Sequence, residues 1–305
     1  MSATSDQIIK ANSQSKNGVL CGFFAYLVWG SFPAFFKLLP AASPLEIVCH
    51  RIVWSAVFLL LLVLCQHQLG VLLATLAQGR VLIALCCSTV LIATNWFVFM
   101  LAVQGGEILQ SSLGYFINPL LSALLGYAFL GERLSSWQYL SFLSAFAGVL
   151  YMIIGYGQVP WISLLLATSF GLYGLLRKVA KIDALIGLTV ETLLLAPVAV
   201  GYLVYLSITG EALFLSGSTS YNLLLPLAGV ITAVPLLLFI VAARRLKLTT
   251  LGFMQYITPS LHFVLAVLVF CEPFSRDQLI SFVLIWIGLA IYSFDVMRGR
   301  VQGHS

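Results

Sequence analysis

Apolar positions along this chain come in unbroken blocks rather than at every second position or on one helical stripe. Ten blocks are long enough to cross a bilayer: 18–39, 44–65, 81–103, 111–130, 137–155, 160–179, 184–206, 223–242, 249–270 and 278–296. A helix rising about 1.5 Å per residue crosses the hydrocarbon core in about 20 residues, so each block predicts one helix. Runs such as Phe58–Leu64 are apolar on every face, as a span surrounded by lipid and other helices must be. A transmembrane β-barrel would need segments of about 10 residues with strict alternation, and these runs do not alternate. The first block exceeds the roughly 7–15 apolar residues of a secretory signal, and Lys37-Leu-Leu-Pro40 is no small-residue cleavage site, so it is expected to stay in the mature protein. The longest connections, Gln66–Arg80 and Ser207–Asn222, are too short for a separate domain. The polar ends, 1–17 and 298–305, read as disordered tails.

The pattern is written twice. Setting residue i against i+140 gives Ile117/Ile257, Pro119/Pro259, Leu121/Leu261, Leu125/Leu265, Glu132/Glu272, Ser135/Ser275, Gln138/Gln278, Ser141/Ser281, Phe142/Phe282 and Gly148/Gly288 without a gap. Earlier segments match more weakly, Trp29–Lys37 lying on Phe170–Lys178 at an offset of 141. The expected units are 18–155, blocks 1–5, and 156–297, blocks 6–10. Five is odd, so the second unit enters the membrane from the opposite side and the repeats are inverted. That construction recurs in secondary transporters, with the substrate site near midplane between the repeats.

Composition sharpens this reading. The chain is 61% hydrophobic and 8% charged, against roughly 25% charged in an ordinary soluble domain. The net charge of +5 therefore describes orientation and not a nucleic-acid partner. With a cytoplasmic N-terminus, the inner segments hold Lys10, Lys16, Arg80, Arg133, Arg177, Lys178, Lys181, Arg244, Arg245, Lys247, Arg298 and Arg300, and the outer ends only Lys37 and Arg276. Both termini are expected in the cytoplasm. The six cysteines (21, 49, 65, 86, 87 and 271) have no metal-ligand spacing and read as small buried hydrophobes. No metal or cofactor is expected.

Several segments carry a family resemblance: Ala25–Gly30 (AYLVWG), His50-Arg51, Asn95-Trp96, Ser112–Leu120 (SLGYFINPL), Gly131–Arg133 (GER), Val190–Pro197 (VETLLLAP) and Leu251–Ser260 (LGFMQYITPS). Together they resemble the RarD branch of EamA-type permeases in the drug/metabolite transporter superfamily. The resemblance runs from about residue 18 to 297. It implies an all-α membrane protein, ten transmembrane helices as two inverted five-helix EamA repeats, in the inner membrane. It further implies a central cavity lined mainly by blocks 1, 3, 4, 6, 8 and 9.

Two charges lie well inside the blocks, Arg51 and Glu191, at equivalent positions in blocks 2 and 7. An intramembrane ion is a functional candidate by default. Each lies seven residues into its block, about 10 Å deep at 1.5 Å per residue, but from opposite sides, so a direct pair between them is not expected. Arg51 either snorkels to the outer interface, pairs locally with Glu46, or serves the site. Glu191 is a candidate carrier of a coupling proton, the other reading being a hydrogen bond to a neighbouring helix. Pro119 and Pro259 fall inside blocks 4 and 9, where each removes a helical hydrogen bond and kinks the span; interrupted helices at matching places in two halves point to a binding site. The substrate contacts expected beside them are Tyr115, Asn118, Gln255, Tyr256 and Thr258, with Trp29, Asn95, Trp96, Phe99 and Tyr173 as walls. Asn118 and Thr258 have a second reading as partners of the backbone that the prolines free. His262 reads as a packed histidine, and Glu132 and Glu272 as gate or cap residues.

No HExxH, GxSxG or GxxxxGK[ST] segment occurs, so neither a familiar enzyme nor ATP-driven transport is indicated. The expected function is a secondary transporter of a small metabolite or drug-like molecule by alternating access; export is what the resemblance implies, and proton coupling rests on Glu191. A membrane receptor or an intramembrane enzyme without flux is the alternative. The expected partners are the small-molecule substrate and the lipid bilayer. The Gly18–Gly22 spacing admits a homodimer by close helix packing.

Overall fold

A computed structural model describes residues 17–131, 134–156, 159–180, 182–216, 219–245 and 254–302. The described residues form helices joined by short turns, with no strand among them. In order they are α1 (Asn17–Gly30), α2 (Phe32–Phe36), α3 (Pro44–Cys65), α4 (Leu69–Leu76), α5 (Gly79–Gly105), α6 (Ile108–Leu130), α7 (Ser136–Tyr156), α8 (Trp161–Ala180), α9 (Ala184–Thr209), α10 (Thr219–Arg245), α11 (Ile257–Val264) and α12 (Arg276–Gln302). Seven helices (α3, α5, α6, α7, α9, α10 and α12) are long and apolar enough to cross a membrane, and three shorter apolar helices lie at Asn17–Gly30, Trp161–Arg177 and Ile257–Val269. Their outer faces carry large exposed apolar side chains such as Phe146, Ile154, Val198 and Ile208, which a lipid environment covers without cost.

The local chemistry repeats along the chain. Ser43 caps α3 by accepting from the Glu46 amide, and Asp183, 140 residues on, caps α9 by accepting from the Leu185 and Ile186 amides. Ser135 and Gln138 form a reciprocal capping box at the start of α7, and Ser275 and Gln278 form the same box at the start of α12. The helices α7 and α12 pack along one another at glycines that face the opposite backbone. A Cβ at Gly148 would sit 2.8 Å from the Ser281 carbonyl oxygen, and one at Gly288 2.7 Å from that of Ser141. The other close neighbours are α3 with α9 and α10, α8 with α5 and α6, and α11 with α6.

Three elements differ from the sequence expectation. Block 1 is not one helix but two, broken at Ser31: Pro33 has no N–H for the Trp29 carbonyl, and His262 Nε2 lies 3.2 Å from that oxygen instead. Block 9 is likewise broken. After a turn at residues 255–256 the helix α11 starts at Ile257, which puts Pro259 in a first turn where a missing N–H costs nothing, and the block ends in a π-helical turn at Leu265–Val269. Pro119, by contrast, lies inside the continuous helix α6. Finally, the loop Gln66–Arg80 contains the short helix α4, which buries Leu72 and Thr75 against the bundle.

Four of the six cysteines are exposed rather than buried: Cys65 and Cys271 lie at the ends of apolar helices, and Cys86 and Cys87 on an outward face of α5. Glu132 lies outside the described residues. Glu272 is a cap, and of a distant helix: its two carboxylate oxygens accept from the Ile108 and Leu109 amides at 2.9 and 2.8 Å, closing the N-terminus of α6. Burial raises the Glu272 pKa above the usual carboxylate range, and the two amides oppose that shift.

Candidate functional site

A cavity of about 370 Å³ occupies the centre of the bundle. The helix α1 contributes Tyr26 and Trp29, α2 Phe32, α5 Asn95, Trp96 and Phe99, and α6 Tyr115 and Asn118. From the later part of the chain come Phe170, Tyr173 and Arg177 of α8, Thr232 and Phe239 of α10, Gln255, and Thr258, Pro259 and His262 of α11. These are the blocks that the resemblance implied, with two additions: α3 supplies Arg51, and α9 supplies Ala184 and Leu188.

Several polar groups on this wall are held by partners that the bundle fixes. Asn95 donates from Nδ2 to the Leu166 carbonyl at 3.0 Å and to Ser169 Oγ at 3.1 Å, and its Oδ1 accepts from Tyr115 at 3.4 Å, so it ties α5 to α8 and α6. Thr258 Oγ1 donates to the Tyr26 carbonyl at 3.0 Å, which belongs to α1 and not to the backbone freed by Pro259. His262 is 1% exposed, with Trp29 O 3.2 Å from Nε2 and Ser111 Oγ 3.3 Å from Nδ1. A carbonyl only accepts, so Nε2 carries the proton, and His262 is a packed histidine that also walls the cavity. Asn118 is 1% exposed, and its Oδ1 has no partner among the described residues.

The two intramembrane ions are held very differently. Glu191 is fully buried, accepts from Ser88 Oγ at 2.6 Å and from Tyr173 at 3.1 Å, and lies 3.5 Å from Arg177 Nη1. That last contact has the distance of an ion pair without the alignment of a hydrogen bond, since Arg177 Nη1 has no hydrogen-bond partner among the described residues. The carboxylate does not itself line the cavity but sits behind Tyr173 and Arg177, which do. Gly187 makes the pair possible: a Cβ there would overlap the Arg177 guanidinium.

Arg51 is buried at 2% exposure, so it does not snorkel. Nor does it pair with Glu46, whose Oε1 accepts from the Leu213 amide at 2.8 Å. Its Nε donates to Thr232 Oγ1 at 3.1 Å, and its guanidinium lies 5.7 Å from the ring of Phe32 and 5.1 Å from those of Phe36 and Trp96. Nη1 has no partner among the described residues.

Of the expected contacts, Trp29, Asn95, Trp96, Phe99, Tyr115, Asn118, Tyr173, Gln255 and Thr258 meet at this one cavity. Tyr256 does not; as the residue before the first turn of α11 it packs into the main apolar cluster. Sequence reasoning missed Arg177, which had been read as a boundary charge, and Thr232, whose signal was a lone hydroxyl three residues from Pro235 inside an apolar block.

A bundle of apolar helices around a central cavity walled by aromatics and a few polar groups defines a membrane protein with room for a small molecule at its centre. Residues 16–154 match the model of the EamA-like transporter family. The chain is 44% identical over 291 residues to an uncharacterized transporter of Vibrio cholerae, covering 95% of each. It is 42% identical over 284 residues to the protein RarD of Escherichia coli K12, covering 93% of this chain and 96% of that one. A solved crystal structure with 19% sequence identity superposes at a TM-score of 0.58, spanning 91% of this chain and 97% of that one, and shows the same fold. The chain belongs to the EamA-like transporter family, in its RarD branch, and is a multi-pass membrane transporter.

Proposed function

We propose that this chain is a ten-span secondary carrier of two inverted five-helix units, 18–155 and 156–297, moving a small metabolite or drug-like molecule outward by alternating access. The observation that carries the reading is the cavity itself, because residues from both units wall it. The three shorter apolar helices fall in blocks 1, 6 and 9, which supports a count of ten beside the seven long ones. The inverted duplication is supported by equivalent caps at Ser43 and Asp183, equivalent capping boxes at Ser135 and Ser275, and the reciprocal Gly148–Ser281 and Gly288–Ser141 contacts. Two near-equivalent halves packed around one site can exchange conformations, opening it to one side and then the other. The charge distribution supports cytoplasmic termini, and the family resemblance supports a location in the cytoplasmic membrane. Polar contacts are few and apolar walls extensive, which fits a largely apolar or amphipathic substrate.

Proton coupling is a separate part of the proposal. Glu191 is buried beside Arg177, which itself reaches the cavity, so a change in the cavity's charge is felt at the carboxylate. The test is flux of a metabolite and antibiotic panel into proteoliposomes, with and without an imposed pH gradient, for wild type and Glu191→Gln. Gradient-driven uptake of one class, lost in the mutant, is expected. Uptake indifferent to both gradient and mutation would leave an uncoupled facilitator with a structural Glu191. Binding without flux for any compound would sink the carrier reading in favour of a receptor.

A further inference from the structure

Arg51 is a buried cation without a counter-ion among the described residues. The two buried carboxylates that could serve are engaged elsewhere: Glu46 accepts from the Leu213 amide, and Glu191 is held by Ser88, Tyr173 and Arg177. Thr232 takes one of the five guanidinium N–H groups, and Nη1 has no partner. Leaving a charge unpaired in a low-dielectric interior is costly, and such groups are normally paired or used. The faces of Phe32, Phe36 and Trp96 keep the guanidinium charged and in place but cannot satisfy its in-plane donors.

We propose that the substrate is an organic monocarboxylate, its head bound by Arg51 and its apolar body held against the aromatic walls. This inference deepens the carrier reading and rests on it. The planar fork of arginine fits a carboxylate with two parallel hydrogen bonds, a geometry that no neutral group of similar size reproduces. An approaching cation would be repelled by Arg51 and find no free acidic group on the wall. Asn118, which lines the same cavity, adds a polar side chain whose Oδ1 has no partner among the described residues. The volume of about 370 Å³ suits a molecule of one or two rings rather than a lipid or a peptide.

The test pairs acids with their neutral isosteres. Purified protein in nanodiscs is titrated with 3-phenylpropanoate and indole-3-acetate, with the primary amides of both, and with chloride alone, by calorimetry. The carboxylates are expected to bind about tenfold or more tighter than the amides, as one charged hydrogen bond implies. In Arg51→Met, checked for folding by its elution profile, the preference is expected to vanish, and in Arg51→Lys to weaken. Amides binding as well as acids to wild type would overturn the proposal with no mutant needed; so would chloride that binds and excludes the acids, or a preference that survives in folded Arg51→Met. Flux in proteoliposomes separates the two levels: transport confined to neutral solutes overturns the carboxylate and keeps the carrier, whereas carboxylate binding without flux overturns the carrier and keeps the site.

Discussion

The contact between Gly187 and Arg177 makes a sharp prediction, because a single methyl group tests an ion pair without substituting either ion. A Cβ at residue 187 would occupy the space of the guanidinium. The guanidinium is the far end of a flexible side chain, so it moves aside and α9 stays where it is. At the 3.5 Å separation from Glu191, an effective dielectric of about 20 gives an attraction of about 5 kcal/mol, and a retreat of about 2 Å leaves about 3 kcal/mol. Gly187→Ala should therefore cost about 2 kcal/mol of stability, offset by no more than about 1 kcal/mol from the better helix propensity of alanine. The assay is a double-mutant cycle by SDS titration in mixed micelles, with Gly187→Ala made in wild type and in Arg177→Met/Glu191→Gln. The methyl group should be destabilising in wild type and neutral or stabilising once the ions are gone. An equal cost in both backgrounds would mean that the glycine serves helix packing and not the ion pair.

The reciprocal glycines of α7 and α12 allow no such retreat, because the obstacle is backbone: Gly148→Ala and Gly288→Ala should each cost about 1–3 kcal/mol in the same titration, and a cost at only one of them would count against equivalent packing in the two units. Glu272→Gln leaves one acceptor where two amides are now bound, so a loss of about 1 kcal/mol is expected, together with faster hydrogen exchange at the Ile108 and Leu109 amides; unchanged exchange there would refute the cap.

What the sequence could reveal followed from how local each determinant is. Apolar blocks of spanning length and the duplicated caps are written in contiguous residues, and the bundle follows from them. Pro119 and Pro259 led to the cavity because a residue without an N–H announces itself in any sequence, and the residues beside it share its depth. Tyr256 was misplaced for a related reason: once the helix restarts at Ile257, its register no longer extends back to residue 256. Arg177 was invisible as a cavity residue because a lysine-and-arginine cluster at a helix end looks the same whether its members face water or fold back. Only the space above Gly187, on another helix, makes the difference. The partner of Glu46 is a backbone amide at Leu213, 167 residues away, which no local pattern encodes.

Taken as two copies of one unit, the chain also accounts for one buried ion being paired and the other having no counter-ion among the described residues. At the offset of 141 that aligns the first block with the sixth, Phe32 corresponds to Tyr173 and Phe36 to Arg177; at 140, Arg51 corresponds to Glu191. The contacts correspond as well. Phe32 and Phe36 flank Arg51 as Tyr173 and Arg177 flank Glu191. Each slot thus receives an ion from the second helix of its unit and two side chains from the first, and the chemistry of those two decides the outcome. A phenol and a guanidinium satisfy a carboxylate, so the Glu191 slot is closed. Two phenyl rings lie beside a guanidinium and offer it no acceptor, so on the proposed reading the Arg51 slot is completed by a group that enters the cavity. One geometry, filled twice with different residues, yields a fixed internal pair on one side of the site and an open anion site on the other.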